Sequence, residues 1–482
     1  MARRYLVLSD LHLADVEDHP DGWKFYKGRR FVADADLAAV LAQGVAETPA
    51  DERLVVILNG DVFDFDLVTA VPEPSPWPVS LQERWRGLDP TGPRSAWKLQ
   101  AILADHPVFV GALVDVLAAG HEVVYVLGNH DREFDFPEVR QVLLDALEVD
   151  ATARGRAIDP SAFRIEPWFY HVPGEIYAEH GHQYDPYSSF RYVLAPRVEC
   201  RGDEHVALPM GNLSNRFLMA RMGFFNPHVG EFILNLFRYV AHWARYYAFS
   251  KRSILLPWLT GSLRVLASVV RMRQKLWKTP PGYPEHVRGY GERQGLDAAR
   301  IEALEALQQA PIAERLFRMV RELWLDRVLI ALLLTAGTIT LALVPIPLWI
   351  QLMVPLSTFP LAFLIYETLA RDESIFVIEK HLPRMAARIA ELLDVPVVTF
   401  GHVHVPRLIP LDAERTFVDT GTWAPMTPFN ERGRTTPGFR NVLKVWFEEG
   451  RARLSLGCAP RTFVERRRPR PPRPRWQALL RR

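Results

Sequence analysis

The chain has 482 residues, of which 24% are charged and 49% hydrophobic, and its formal net charge is +2. This composition excludes a disordered chain, and the length allows more than one domain around a large buried core. Only two cysteines are present, Cys200 and Cys458, which excludes a disulfide framework and favours a reducing compartment.

The N-terminal sequence MARRYLVLSD runs directly into a strand-like segment. It lacks the apolar core and the small-residue cleavage site of a signal peptide. We therefore expect this part of the protein to stay in the cytosol.

Three apolar segments near the N-terminus each end in polar residues. They are YLVLSDLHL, RLVVILNGDVFDF and HEVVYVLGNHD, and helix-like stretches such as ADADLAAVLAQGVAE and FVGALVDVLAAG separate them. Continuous apolar strands alternating with helices predict an α/β sheet that is covered on both faces. Ligands bind at the carboxyl ends of the strands in such sheets, where all three polar clusters fall.

Further short strands are predicted downstream, in GEIYAEHGHQYDP, VPVVTFGHVHVPRL, RTFVDTGTW, NVLKVWFEE and RARLSLGCA. Their short alternating or apolar runs are separated by turn residues. We expect them to complete the first sheet and to add a second one.

The middle of the chain runs from about 187 to 394. Its first part is rich in arginine and aromatic residues and predicts amphipathic helices. Later in the same region, residues 328–366 contain no charged side chain and divide at Pro345-Ile346-Pro347 into two apolar arms. Each arm is near the lower limit of about 17 residues for crossing a bilayer. Basic residues on both flanks favour a membrane hairpin with both ends on the cytoplasmic side. The alternative is a buried helical pair.

The C-terminal residues 461–482 are rich in arginine and proline, as in RRRPRPPRPRWQALLRR. Such a tail can bind anionic phospholipid headgroups or nucleic acid, or it can be a solvated disordered end. Beside an uncharged hairpin, we favour the lipid interpretation.

Seven candidate metal ligands lie mostly at predicted strand ends: Asp10, His12, Asp61, Asn129, His180, His402 and His404. All are oxygen or nitrogen donors, which suits Mn²⁺, Fe²⁺ or Zn²⁺ and less exclusively Mg²⁺. Two such ions held a few ångströms apart can clamp a phosphoryl group and activate a water. Each short motif is weak alone, but their joint occurrence in this order is not explained by chance.

The blocks DLH, GDVFD, GNHD, HGH and GHVH resemble the pattern of the calcineurin-like metallophosphoesterase superfamily. The resemblance covers residues 1 to about 185 and about 395 to 460. It implies a four-layer αββα sandwich that holds two divalent metal ions, with Mn²⁺ as the first candidate and Fe, Zn or Mg as alternatives.

The resemblance also implies a division of the ligands between the two ions. One ion would take Asp10, His12, Asp61 and His404. The other would take Asp61, Asn129, His180 and His402, so that Asp61 bridges. A water held between the ions would then be the attacking hydroxide.

Other residues of the motifs have roles that do not involve metal binding. The resemblance implies that His130 faces the phosphate as a general acid or an electrostatic stabiliser, and Asp64 is the expected partner that orients its ring. Asp131 is expected to hold the turn. His182 and Arg132 are candidate substrate contacts, Arg132 because a guanidinium can bind a phosphate through two hydrogen bonds.

These motifs divide the chain into a discontinuous catalytic domain, residues 1–187 and 395–460, a helical insertion or lid, residues 188–394, and the tail 461–482. The insertion falls between His180 and His402, and we expect it to form a wall of the site. Its basic, aromatic and apolar character predicts a lipid-linked phosphate or pyrophosphate substrate at the cytoplasmic membrane face.

This arrangement is similar to the UDP-2,3-diacylglucosamine pyrophosphohydrolases, which also insert a helical lid at this place. The chain departs from that branch in two ways: the branch commonly has arginine where this chain has His130, and the insertion here is longer. The alternatives are a membrane-tethered phosphatase or phosphodiesterase for soluble nucleotides, a nuclease, which the uncharged hairpin opposes, and a non-enzymatic metal-bound membrane scaffold.

Overall fold

The computed structural model describes residues 2–20, 23–200, 202–224, 240, 243–244, 247–248, 252–369, 378–424 and 440–459. The strands in these residues, in chain order, are β1 (Ala2–Leu8), β2 (Glu52–Asn59), β3 (Glu122–Val126), β4 (Phe163–Glu166), β5 (Phe169–Val172), β6 (Ile176–Glu179), β7 (Arg197–Cys200), β8 (Asp203–Val206), β9 (Val397–Phe400), β10 (Arg407–Pro410), β11 (Thr416–Asp419), β12 (Asn441–Glu448) and β13 (Arg451–Cys458).

The α-helices of the same residues are α1 (Asp34–Ala46), α2 (Leu81–Arg86), α3 (Gly92–Asp105), α4 (Pro107–Ala118), α5 (Pro137–Ala153), α6 (Met210–Phe217), α7 (Leu255–Lys275), α8 (Tyr283–Arg293), α9 (Ala298–Ala306), α10 (Leu316–Glu322), α11 (Leu325–Ala342), α12 (Leu348–Leu369) and α13 (Ile378–Leu393).

Two sheets form the centre of the fold. The first has the order β13-β12-β1-β2-β3-β4 and the second the order β10-β11-β9-β6-β5. The predicted N-terminal strands β1, β2 and β3 pair in parallel, so their carboxyl ends meet at one edge. In the second sheet β6, β9 and β11 are also parallel. The downstream strands thus complete the first sheet and build the second, as the sequence predicts.

Alternate residues of each central strand face different cores. Tyr5 and Val7 of β1 pack against the second sheet, where Val397 lies. Leu6 and Leu8 point to the opposite face and pack against helices. Because both faces are buried, the strand has a continuous apolar sequence.

Helices cover the outer face of both sheets. The first sheet is covered by α1, α3, α4 and α5. The outer face of the second sheet packs against α8, α9 and α13. The order helix, sheet, sheet, helix is the predicted four-layer αββα sandwich.

The helices on the second sheet differ from the predicted domain division. α8, α9 and α13 all lie in residues 188–394, which the sequence assigns to an insertion. Yet Leu382, Ala386 and Ile389 of α13 are buried in one core with Val398 and Phe400 of β9. These helices therefore belong to the sandwich, and the inserted part is smaller than predicted.

The uncharged segment forms a helical hairpin, α11 and α12, which pack on each other. Each contains a window long and apolar enough to cross a membrane, Leu325–Ala342 and Leu348–Tyr366, and none of either window is buried. The alternative of a buried helical pair is therefore wrong. The bent pair α3 and α4 is together also long and apolar enough to cross a membrane, but its apolar residues lie in the sandwich core. The basic tail 461–482 lies outside the described residues.

Candidate metal centre

The predicted ligands follow the carboxyl ends of strands from both sheets. Asp10 and His12 follow β1, Asp61 follows β2, Asn129 follows β3, His180 follows β6, and His402 and His404 follow β9. Since the parallel strands of each sheet end at a shared edge, residues far apart in the chain meet there.

The main chain is left-handed at several of these positions. The φ angles are 54° at Asp10, 48° at His12, 51° at Asp61, 71° at His402 and 61° at His404. Such conformations cost about 1–3 kcal/mol each in non-glycine residues and cluster at functional sites. Main-chain hydrogen bonds hold them: the Asp10 amide donates to the Gly60 carbonyl at 3.0 Å, and the His12 amide to the Asp61 carbonyl at 2.9 Å.

Asp10, His12 and His404 form the first cluster of potential ligands. His404 Nε2 lies 3.0 Å from Asp10 Oδ1 and 3.2 Å from His12 Nε2. His12 Nε2 also lies 3.8 Å from Asp61 Oδ2. These four residues are the ones that the family resemblance assigns to one ion.

Asp61, His180 and His402 form the second cluster. His180 Nε2 lies 3.1 Å from Asp61 Oδ2, and the rings of His180 and His402 are 5.3 Å apart between centroids. Asp61 therefore lies between the two clusters, where a bridging carboxylate is expected.

The donor set fits two divalent cations. Asn129 Oδ1 is buried without a hydrogen-bond partner in the described residues, and so is His180 Nε2, whose approach to Asp61 lacks hydrogen-bond geometry. Buried polar atoms are normally satisfied, so these two point to a missing ligand. Carboxylates, imidazoles and an amide oxygen together suit Mn²⁺, Fe²⁺ or Zn²⁺.

The opposite ring nitrogens of two ligand histidines are fixed by neighbours. His180 Nδ1 lies 3.0 Å from the Asn59 carbonyl, and His12 Nδ1 lies 3.1 Å from Asp64 Oδ2. A partner on one ring nitrogen orients the ring and leaves the other nitrogen for a metal. Asp64 therefore orients His12 more directly than it orients His130, its predicted partner.

The charge of Asp61 is stabilised by its histidine neighbours. Burial alone would raise the pKa of this carboxyl, but His180, His130 and His12 together hold its pKa well below the usual value. The His130 amide also donates to Asp61 Oδ1 at 2.8 Å. Asp61 is therefore an ionised carboxylate, the form that binds a cation.

The predicted role of Asp131 in the turn is confirmed. Asp131 Oδ1 accepts from the Gly128 amide at 2.7 Å, and Oδ2 accepts from the Val62 amide at 2.8 Å and the Tyr125 hydroxyl at 2.6 Å. The side chain thus ties the loop after β3 to the loop after β2. Burial, followed by the nearby charge of Asp61, raises the pKa of Asp131 to about 7.

His130 lies beside the two clusters of potential ligands, and its Nδ1 faces carboxylates. Its Nδ1 is 3.2 Å from Asp66 Oδ2 and 3.4 Å from Asp64 Oδ1, and its Nε2 is 3.2 Å from Asn215 Nδ2. Burial lowers the pKa of this imidazole, but Asp64 and Asp61 outweigh that effect and hold the pKa well above its usual value. A cationic ring here suits contact with phosphate.

The prediction that Arg132 contacts the substrate is corrected. Its side chain is fully buried, and its guanidinium donates to the main-chain carbonyls of Pro167 and Val193. It also faces the Phe190 ring, 5.7 Å from the centroid. Arg132 therefore connects the loop after β3 to the segments around Pro167 and Val193, and its guanidinium donates to the protein's own main chain.

His182 is also enclosed. Its side chain is fully buried against Phe190 and the His180 ring, 5.8 and 5.5 Å away between centroids. Neither of its nitrogens has a hydrogen-bond partner within the described part of the chain. Burial, followed by nearby cationic groups, places its pKa well below the usual value. An enclosed neutral ring offers no surface to a substrate, so the predicted contact is not supported.

The sequence motifs do not indicate four further polar residues of the site: Asp66, Asp185, Asn212 and Asn215. Asp185 Oδ2 lies 2.9 Å from His402 Nε2 and thereby orients a ligand ring. It stands in HGHQYDP, five residues after His180, and this short distance is the only sequence signal for it. Asn212 and Asn215 both lie on α6, and their spacing of three residues indicates that they share one face of the helix.

Comparison with known proteins agrees with this geometry over part of the chain. Curated proteins give no match to the sequence. Residues 3–207 match the family described as calcineurin-like phosphoesterase, a range that contains five of the seven predicted ligands and ends before His402 and His404. The chain therefore carries a calcineurin-like phosphoesterase domain and is a hydrolase that acts on phosphoric esters.

Proposed function

We propose that this phosphoesterase uses two divalent ions, Mn²⁺ first, to hydrolyse a phosphate or pyrophosphate bond in a lipid-linked substrate at the cytoplasmic face of a membrane. The observation that carries the lipid part is the exposed apolar hairpin of α11 and α12, in the same inserted segment that supplies Asn215 to His130. The phosphoesterase part rests on the two side-chain clusters around Asp61.

The chain's own residues would divide the chemical work. Asp10, His12, Asp61 and His404 would hold one ion, and Asn129, His180 and His402 would share Asp61 to hold the other. The ions would supply an activated water and offset the charge of the phosphate. His130 would meet a phosphate oxygen, oriented from behind by Asp66 and Asp64 at 3.2 and 3.4 Å.

The hairpin has the length that a membrane requires. At a rise of about 1.5 Å per residue, the windows of 18 and 19 residues are close to the roughly 30 Å of a hydrocarbon core. Leu332, Leu333 and Leu364 are among its large apolar side chains that are more than 60% exposed. Such a surface is unfavourable in water and favourable in lipid.

The base of the hairpin carries the residues typical of a membrane interface. Arg327 stacks on Trp324 and Tyr366, with its guanidinium carbon 5.2 and 5.7 Å from the two ring centroids. The Tyr366 hydroxyl donates to Asp326, which joins the start of α11 to the end of the second apolar window. Aromatic and basic side chains together favour the headgroup region, which supports a hairpin with both ends on one side.

The substrate preference can be tested with full-length protein in Mn²⁺. UDP-2,3-diacylglucosamine in mixed micelles would be compared with its deacylated analogue and with soluble nucleotides. Each methylene buried in an apolar site contributes about 0.8 kcal/mol, so we expect kcat/KM to favour the acylated substrate by more than about tenfold. Equal or faster turnover of soluble nucleotides would contradict the lipid proposal and favour the tethered phosphodiesterase.

Membrane attachment is tested by a charge on the hairpin. Leu333 on α11 is 64% exposed, so Leu333→Arg is tolerated in water, but an arginine at the centre of a membrane helix costs about 2.5–3.5 kcal/mol. We expect L333R to shift protein from the membrane to the soluble fraction in detergent-free fractionation.

Leu81→Arg is the matched control, because Leu81 is 79% exposed and lies on α2, outside the hairpin. It should leave the distribution unchanged. Wild-type protein found entirely in the soluble fraction, or equal distributions for L333R and wild type, would argue against membrane insertion.

A further inference from the structure

Helix α6 carries two asparagines to the metal site from outside the sequence motifs. It is the first helix after the β7–β8 hairpin and lies in the segment between β6 and β9. Asn212 is fully buried on it, whereas Asn215, one turn later, is partly exposed. The inserted part of the chain therefore contacts the site directly.

Asn212 holds the carboxamide of Asn129 in one orientation. Asn129 Nδ2 donates to Asn212 Oδ1 at 3.2 Å, and Asn212 Nδ2 donates to the main-chain carbonyl of Asn129 at 2.9 Å. With its nitrogen engaged, Asn129 keeps its Oδ1 free of any partner in the described residues. That oxygen is the atom a metal ion prefers, since an amide nitrogen is not a ligand for such ions.

Asn212 also fixes the carboxylate behind His130. Its Nδ2 donates to Asp66 Oδ2 at 2.7 Å, and the same oxygen lies 3.2 Å from His130 Nδ1. One buried amide thus contacts both a predicted ligand and the partner of the predicted phosphate-facing histidine.

Asn215 meets His130 on its other nitrogen. Its Nδ2 lies 3.2 Å from His130 Nε2, the ring atom opposite the carboxylates. A carboxamide suits this place in both states of the ring, because its nitrogen donates to a neutral imidazole and its oxygen accepts from a protonated one after a half-turn. The ring therefore has a hydrogen-bond partner at Nε2, while the carboxylates of Asp66 and Asp64 lie within 3.4 Å of Nδ1 without hydrogen-bond geometry.

We propose that Asn212 and Asn215 are positioning residues through which the inserted segment completes the phosphoesterase site. Asn212 presents the Asn129 oxygen to the metal, and Asn215 holds the His130 ring until a phosphate oxygen replaces it at Nε2. This inference rests on the proposed metal site and is independent of the lipid proposal.

The role of Asn212 is tested by metal affinity. Full-length wild type, Asn212→Ala and Ser214→Ala are stripped of metal and titrated with Mn²⁺ by calorimetry, after thermal unfolding has shown that each is folded. Loss of a residue that orients a metal ligand lowers affinity by about 10- to 100-fold, which we expect for N212A. Ser214 is the matched control: it lies on the same helix between the two asparagines, and S214A should bind like wild type.

The role of Asn215 is tested by a double-mutant cycle with His130. Hydrolysis of bis(p-nitrophenyl) phosphate is measured for wild type, N215A, H130A and the double variant at saturating Mn²⁺. Misplacement of a reacting group costs up to about a hundredfold, so we expect N215A to lower kcat by at least about tenfold with KM and Mn²⁺ affinity unchanged. The same substitution should have no effect in the His130→Ala protein, because the two residues act as one unit.

Each outcome separates this inference from the function on which it rests. If wild type binds no Mn²⁺, the proposed metal site fails. If wild type binds and N212A binds equally well, the Asn212 assignment fails alone. If N215A lowers kcat by the same factor with and without His130, Asn215 does not act through that ring.

Discussion

Asp61→Asn is expected to abolish tight Mn²⁺ binding and to lower kcat/KM for any phosphoester substrate by about a thousandfold or more. Asp61 lies 3.8 Å from His12 Nε2 and 3.1 Å from His180 Nε2, so it faces both clusters. Asparagine keeps the shape but removes the charge that offsets two cations. Metal ions supply several kcal/mol of transition-state stabilisation, and each 1.36 kcal/mol is a factor of ten in rate. Calorimetry with Mn²⁺ and steady-state kinetics give both numbers.

Asp34→Asn is the control for this substitution. Asp34 is also a buried aspartate facing a histidine, with Oδ1 2.7 Å from His106 Nδ1, but the pair bridges α1 and the start of α4. D34N should lower stability while leaving Mn²⁺ affinity as in wild type. Equal metal affinity in D61N and wild type would remove Asp61 from the centre and, with it, the bridging assignment.

The strand ends make the candidate metal centre predictable from the sequence. Apolar runs specify the central strands, and each run stops at a polar motif such as the one that contains Asp10 or Asp61. Parallel pairing of β1, β2 and β3 then brings these motifs to one edge whatever the details of the helices. For that reason the meeting of the first-sheet ligands follows from local patterns and topology. The three histidines that follow strands of the second sheet, His180, His402 and His404, are grouped with them by the family resemblance.

The asparagines of α6 were not predictable in this way. Asn212 lies 83 positions after Asn129, and its placement depends on how α6 docks against the loops after β2 and β3. Local sequence gives only a polar pair three residues apart, which on most helices would face solvent. Tertiary packing alone turns that pair toward the site.

Arg132 shows that the direction of a long side chain cannot be predicted from the local sequence. Directly after the GNHD motif, an arginine has the charge and reach to bind phosphate, and no local signal gives its direction. In the fold it is fully buried and donates to main-chain carbonyls at Pro167 and Val193. Long side chains leave the main chain in several rotamers, and the neighbouring elements that select one are distant in sequence.

The outer helical layer shows why the domain boundary was misplaced. α13 spaces Leu382, Ala386, Ile389 and Ala390 along one buried face. This pattern specifies a helix with one apolar face, but it does not say whether that face meets a sheet or another helix. Packing against β9 and β11 assigns α13 to the sandwich.

Gly128→Ala is expected to disrupt the candidate metal centre severely. A Cβ on Gly128 would lie 2.2 Å from Asp61 Oδ1 and 2.5 Å from the Asp61 main-chain nitrogen, so rotation of the Asp61 side chain alone cannot relieve the contact. The His130 amide, which donates to the same Oδ1, would be displaced as well. Gly401 packs in the same way on a carboxylate of the first cluster: a Cβ at this position would lie 2.4 Å from Asp10 Oδ2.

The motif glycines are thus required because ligand carboxylates pack directly on them, and one methyl group tests this. A misplacement of about 1 Å in a reacting site costs about a hundredfold, so G128A should lose at least that factor in kcat/KM together with Mn²⁺ affinity. Gly289→Ala on α8 is the matched control, since among the described residues the nearest atom to its Cβ position, apart from the backbone of its own helix, is Arg293 Nη1 at 4.0 Å. There alanine should stabilise the helix by up to about 1 kcal/mol and leave metal affinity unchanged. Wild-type Mn²⁺ affinity in G128A would mean that the loop after β3 does not press on Asp61 when metal is bound.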